Sequence, residues 1–400
     1  MEPDVPVDTR VSGGRVLPAL VVTQFLSATG GQMTWFAISW FVLATTGSPA
    51  RASVVIVAPM VAILLVGVHS GRWVMRWGPR RTLLTCDAAR VPLLASVPVL
   101  HHLDLLTFPL LVALMFLVGI FFAPYYTAQR ELIAQVAGAD ETRLGSSNSL
   151  LQAAVQIPSL LGPGVAGVLV ALAGPVDVLF VESVALLLTL TAVAVLTRGY
   201  GANSVVEQTT GTLAGVSGIV RDRLLRALSV GGAAAEITFQ VLVVALQVMV
   251  LTRYGGNPRV AGVLTGTWGG GVLAGTIIAA VLARRVPAAR MTLWGALFGL
   301  PLWLLPVELP IVAVAVALAA SGLFHGLALG PRTVVRSTRA GDHLRAQVIA
   351  ADITATMGAG MLGLLVGGIV LDHAGLAPVL VGVAVIATLG GIPVLIESRR

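Results

Sequence analysis

Residues 178–196 read VLFVESVALLLTLTAVAVL. Apart from Glu182 and the hydroxyls of Ser183, Thr189 and Thr191 the run is aliphatic or aromatic, and it ends at Thr197-Arg198. As a helix rising about 1.5 Å per residue, it matches the roughly 30 Å of hydrocarbon in a bilayer. Inside that hydrocarbon only a helix or a closed barrel can satisfy its own backbone groups. Working outward, comparable stretches lie near 16–43, 52–70, 82–100, 106–128, 146–172, 227–252, 259–283, 291–307, 310–331, 346–372 and 377–396, which with 178–196 makes twelve. The expected fold is therefore all-α, a polytopic membrane protein with twelve transmembrane helices. Composition agrees: 56% hydrophobic and 11% charged residues, with a mean hydropathy of +0.93, leave too little polar surface for a soluble chain of this length.

The net charge is +7, and all 25 basic residues are arginine. In a soluble protein that balance would raise nucleic acid as a partner; the positions argue against it. The N-terminus, the even-numbered loops and the C-terminus carry all the arginines except Arg51, Arg253 and Arg259 on the opposite loops and Arg90 inside the third span. Positive residues stay on the cytoplasmic side, so both termini are expected in the cytoplasm, with the lipid bilayer around the chain. An arginine-only basic set suggests a GC-rich genome and hence a bacterial plasma membrane. The first 15 residues are polar and carry no cleavable signal pattern, so the first span is expected to drive insertion.

The single cysteine, Cys86, excludes an internal disulfide. No His, Cys or carboxylate set has metal-ligand spacing, and without lysine there is no phosphate-cradling loop of the Gly-x-x-x-x-Gly-Lys type. No metal, no cofactor and no enzymatic activity are expected.

The longest polar interval divides six spans from six. The expected domains are a six-helix bundle over 1–196, a cytoplasmic linker over 197–226 whose Leu213–Arg226 portion forms an amphipathic helix along the membrane surface, and a second six-helix bundle over 227–400. The halves echo each other. Arg80-Arg81-Thr82-Leu83 opens the third span as Ala289-Arg290-Met291-Thr292 opens the ninth, and Ala123-Pro124 in the fourth corresponds to Gly330-Pro331 in the tenth. Internal repeats of this kind let secondary transporters hold a substrate site near the midplane between two rocking bundles.

Between the second and third spans, Gly71–Arg81 (GRWVMRWGPRR) resembles the inner-loop signature of the major facilitator superfamily, except that the usual aspartate is Met75. Leu26–Trp35 (LSATGGQMTW), Thr45–Pro49 (TTGSP), Cys86–Arg90 (CDAAR) and Pro124–Gln129 (PYYTAQ) resemble the branch containing the enterobactin exporter and many macrolide and multidrug exporters. Gly31 stands where many relatives have an aspartate. Gly162, Pro163, Gly164 and Gly167 in the fifth span are similar to the antiporter-associated Gly-Pro-x-x-Gly-Gly signature, with Ala166 replacing one closing glycine. The resemblance implies the two-bundle major facilitator fold and alternating access.

A charged side chain at the bilayer centre costs about 2.5–3.5 kcal/mol on insertion scales, so intramembrane polar groups mark candidate sites. Glu236 shares a face of the seventh span with Gln240 and Gln247. Three roles stay open for it: proton coupling, contact with a cationic substrate, or a structural hydrogen bond. Asp87 and Arg90 lie at i, i+3, and with Arg76, Arg80, Arg81 and Asp352 they are expected to form an inner gate, Asp352 reaching an arginine of the 72–81 loop in place of the acid missing at Met75. Glu182 and His325 read as structural. Thr23, Ser27 and Thr34 in the first span and Asn148, Gln152 and Gln156 in the fifth form polar stripes that either line a cavity or join helices.

A mostly apolar cavity with scattered polar points suits an amphipathic organic molecule. The expected function is secondary export of a hydrophobic or amphipathic small molecule (a drug, an antibiotic or a siderophore-like metabolite), by proton antiport and as a monomer. Two alternatives remain at this level: a proton-coupled nutrient importer, and a non-transporting membrane scaffold or sensor.

Overall fold

The computed structural model describes residues 13–137, 157–158, 161–198, 212–340 and 344–397. Its regular elements are helical: α1 Gly13–Thr46, α2 Pro49–Trp77, α3 Pro79–His102, α4 Phe108–Ala137, α5 Leu161–Ala173, α6 Val178–Leu196, α7 Thr212–Arg221, α8 Arg223–Arg253, α9 Pro258–Leu282, α10 Ala288–Gly295, α11 Ile311–Ala340, α12 Arg345–Ala374 and α13 Leu376–Glu397. Among the described residues, nine helices are long and apolar enough to cross a membrane. The protein is an all-helical polytopic membrane protein, as its composition requires.

The helix α6 shows how such a chain sorts its faces. Leu179, Glu182, Ser183, Leu186, Thr189 and Val193 are buried, whereas Val181, Val184, Leu187, Leu188 and Val195 are exposed. Both faces are apolar, so lipid satisfies the outer one as well as protein does, and only the polar side chains distinguish the inward stripe.

The ninth expected span, 291–307, is not one α-helix. After α10 the chain passes through 3-10 turns at Ala296–Gly299 and Pro301–Leu304. Pro301 has no N–H to give and fixes its own φ, which leaves the Phe298 carbonyl available. The Ser321 hydroxyl of α11 donates to it at 2.8 Å, so a neighbouring helix satisfies the broken ladder.

The tenth expected span, 310–331, runs nine residues further, through Pro331 to Ala340. That extension moves Arg332 and Arg336 from a loop onto a helix. In the linker, an amphipathic helix forms at α7 but stops at Arg221. Asp222 caps α8 there, its Oδ1 accepting from the Leu224 and Leu225 amides at 2.9 and 3.0 Å, and Gly215 of α7 packs on Gln347 and Ala351 of α12.

Partial burial by itself would raise the Asp222 carboxyl. The Leu225 amide, the Arg339 guanidinium at 2.8 Å and the Leu224 amide outweigh it and hold the group below the ordinary carboxylate range. A group depressed in the folded state contributes stability that is complete above its unfolded pKa and lost as pH falls through the lower folded value. Thermal melts in detergent should therefore fall as pH drops below about 4. Asp222→Asn, which can still cap, should flatten that dependence while keeping most of the stability at pH 7; an unchanged acid profile would contradict it.

By packing, the chain forms two compact units, each drawing on several segments. The first comprises Met1–Gly31, Val61–Pro158 and Leu179–Glu207; the second comprises Gln32–Met60, Ser159–Val178 and Gln208–Arg400. The core of the first gathers Leu20, Val74, Leu83, Cys86, Tyr125 and Leu132. The second is held by glycines that bring helix backbones together, as where Gly271 and Gly275 of α9 meet Ala319 and Leu323 of α11.

Candidate functional site

Each unit carries its own buried polar cluster. In the first unit, α3 brings Asp87 and Arg90 to one face, eight and eleven residues beyond Pro79 at the helix start, so Arg90 lies about 16 Å along the axis. That is near mid-helix. Arg90 is 0% exposed, Asp87 1% and Glu182 of α6 1%. The Arg90 Nη1 is 3.4 Å from Asp87 Oδ1 and Nη2 is 3.8 Å from Glu182 Oε1. The guanidinium also lies 4.2 Å from the centroid of the Phe122 ring and 5.5 Å from that of Tyr125, both on α4. The α1 backbone closes the cluster: a Cβ on Gly30 would come within 2.9 Å of Glu182 Cγ.

These groups pair with one another rather than with the arginines near the α2–α3 turn. Arg80 instead ties α3 to the end of α6, donating from Nη2 to the Ala194 carbonyl at 2.8 Å and from Nε to Thr197 Oγ1 at 3.1 Å. Arg76 and Arg81 are exposed. Thr23 and Ser27 are buried, and Thr23 donates to its own helix, at the Leu20 carbonyl.

In the second unit, the α8 stripe faces protein. Gln240 Nε2 donates to Glu236 Oε1 at 3.3 Å and lies 3.8 Å from the Met60 sulfur. Gly360 of α12 packs directly on Glu236, where a Cβ would meet Cγ at 2.6 Å. Gln247 is 0% exposed and belongs to a separate contact: its Nε2 donates to Ser39 Oγ at 2.7 Å on α1. Thr34, also buried, has a hydroxyl without a hydrogen-bond partner among the described residues. Asn148, Gln152 and Gln156 lie outside the described residues.

Asp352 has a different partner from the one expected of it. It accepts from Arg336 Nη1 at 2.7 Å and from Ser229 Oγ at 2.6 Å, because α11 stays helical past Pro331 and presents Arg336 to α12. Arg332, 7% exposed, shares that face; a Cβ on Gly232 of α8 would be 3.1 Å from Arg336 Nη2 and 3.9 Å from Arg332 Nη1. Two guanidiniums thus stand beside one carboxylate.

An aromatic series runs alongside. Phe239 stacks on Trp268 with centroids 4.9 Å apart, Trp268 lies 5.6 Å from the His325 ring, and Phe298 meets His325 edge-on at 5.7 Å. Trp268 Nε1 and His325 Nδ1 have no hydrogen-bond partner among the described residues. Next to them is a small apolar recess of about 10 Å³, lined by Phe239, Leu242, Val243, Leu246, Thr265 and Trp268.

The glycines of the fifth span also find a specific neighbour. Gly162 packs on Gln32 of α1, where a Cβ would lie 2.5 Å from the glutamine Cβ. A Cβ on Gly167 would be 2.6 Å from the Pro258 carbonyl and 2.9 Å from the Gly262 Cα, and one on Gly262 would be 2.5 Å from the Pro163 carbonyl. The α5 and α9 backbones touch there.

Residues 20–247 match the family description Major Facilitator Superfamily. The chain belongs to this superfamily of transporters. Solved transporters share its fold at low sequence identity: a bacterial homologue of the human lysosomal transporter Spinster, in an inward-facing unoccupied conformation, superposes with a TM-score of 0.76 at 14% identity, covering 98% of both chains. A bacterial homologue of the iron transporter ferroportin, in an inward-facing state, gives 0.74 at 14%, covering 96% of this chain and 99% of its own. By sequence, the chain is 27% identical over 373 residues to the multidrug efflux pump Tap of Mycobacterium tuberculosis, covering 90% of this chain and 88% of that one. It is likewise 27% identical over 356 residues to Tap of Mycolicibacterium fortuitum, covering 87% of each.

Sequence reading paired Asp87 with Arg90 but missed Glu182 as the third member, Arg336 as the partner of Asp352, and Asp222 as a cap. An i, i+4 pair of arginines at 332 and 336 following a helical stretch was the available signal for the second of these. Nothing local announces the first.

Proposed function

We propose that this transporter exports amphipathic organic molecules from the bacterial cytoplasm in exchange for protons, acting as a monomer in the plasma membrane with both termini cytoplasmic. The observation that carries the reading is the similarity to multidrug efflux pumps over nine-tenths of the chain. The chemistry of the second unit supports it. The Phe239–Trp268–His325 series offers aromatic surface, and the ring nitrogens that have no partner among the described residues offer a few polar points. Glu236, one helical turn from Gln240, supplies a negative charge for a cationic group or a proton. Within the second unit, the pairs Ser39–Gln247, Gly167–Gly262 and Ser48–Asp372 tie α1, α5 and the α1–α2 turn to α8, α9 and α12.

The test is a susceptibility panel in an efflux-deficient host. Wild type is expected to raise tolerance to several chemically unrelated amphipathic drugs, and Glu236→Gln to lose most of that gain at equal expression. Equal tolerance with and without the protein would leave export unsupported. Full activity of Glu236→Gln would remove Glu236 from the site.

A further inference from the structure

Asp87, Arg90 and Glu182 bring two carboxyls and one guanidinium into a site that is 0–1% exposed. If both carboxyls were ionised, the cluster would hold one uncompensated negative charge in a medium where an unpaired ion is strongly disfavoured. The usual relief is neutralisation by a proton.

The geometry distinguishes the two acids. Asp87 Oδ1 accepts a hydrogen bond from Arg90 Nη1 at 3.4 Å, whereas Glu182 stands 3.8 Å from Nη2, beyond hydrogen-bond reach. Glu182 Oε2, Arg90 Nε and Arg90 Nη2 are all buried without a hydrogen-bond partner among the described residues. The less satisfied acid is the one on α6. Among the described residues, the other helices packed here supply no second cation. From α1 comes Gly30, from α3 Cys86, and from α4 Phe122 and Tyr125, with Tyr126 ring-packed on Tyr125 and Arg130 exposed.

We propose that this cluster is a proton-binding site in which Glu182 carries the exchangeable proton and Arg90 accepts the carboxylate when the proton leaves. On release, the Glu182 O–H bond breaks, the electron pair stays on the carboxylate, and the proton passes to water. The α1 backbone at Gly30 covers Glu182, so movement of α1 controls water access to it. The identification of this proton as the one exchanged for substrate rests on the antiport reading above; the binding site itself does not.

Infrared spectroscopy of the purified, liposome-embedded protein tests it. Near neutral pH, a Glu236→Gln background should show a protonated-carboxyl C=O stretch that moves on 13C labelling of glutamate and stays on 13C labelling of aspartate. The band should vanish in Glu182→Gln and persist in Asp87→Asn. With Glu236 intact, adding ethidium as the probe substrate should diminish the glutamate band and release protons into weak buffer. Isotope labelling leaves the side chains of the cluster intact, so the result stands even if Glu182→Gln fails to fold. A band that follows aspartate labelling, or no band and a response to sodium instead, overturns the site. A glutamate band without ethidium–proton exchange keeps the site and defeats the antiport reading.

Discussion

Arg90→Met is expected to destabilise the first unit by about 3–5 kcal/mol, the loss typical of removing one partner from a buried ion pair. The substitution keeps much of the volume between Phe122 and Tyr125 but leaves Asp87 and Glu182 without their shared cation. Both acids must then hold protons, and the polar atoms around them lose their donor. In detergent the variant should melt well below wild type and give a poor yield. Neutralising all three positions, as Asp87→Asn, Arg90→Met and Glu182→Gln together, should recover much of the melting temperature, since replacing a whole buried ionic cluster is often close to neutral. Drug tolerance should not return. A single variant that melts like wild type would mean that the 3.4 and 3.8 Å contacts contribute little.

The second large effect is expected at Gly262. A leucine there would drive its Cβ into the Pro163 carbonyl and the Gly167 backbone, and overpacking of this sort costs about 1–3 kcal/mol. Because the penalty falls where the α5 and α9 backbones of the second unit touch, it should disfavour that packed arrangement by a factor on the order of 10 to 100. Export is expected to collapse while the protein remains folded and in the membrane. The readout is a Ser39→Cys reporter in a Cys86→Ser background. Ser39 is 0% exposed, so a membrane-impermeant thiol reagent added from outside should label it slowly in the parent and much faster with Gly262→Leu. Equal labelling rates with intact export would show that α5 and α9 need not touch during transport.

The motifs lose some of their individual meaning once packing is known. Arg80 belongs to the loop signature but anchors α3 to the end of α6. Gln247 lies on the same α8 face as Glu236 yet bonds the α1 hydroxyl at Ser39. Sharing a face of one helix establishes which side chains point the same way, but the neighbouring helix decides what they meet.

The sequence by itself determined the membrane-spanning helical class, the family and the positions of most helices. Transfer of a 20-residue window into hydrocarbon is a local property, summed residue by residue and independent of the neighbours. The break in the ninth span was partly legible in Pro301, whereas the continuation of α11 through Pro331 was not, because a proline in a membrane helix is tolerated or not according to its surroundings. Tertiary structure alone decided the polar partnerships. In lipid an apolar helix face has no preference between a tail and another helix, so the stretch at 178–196 does not reveal that Glu182 meets Arg90 from a segment some ninety residues earlier.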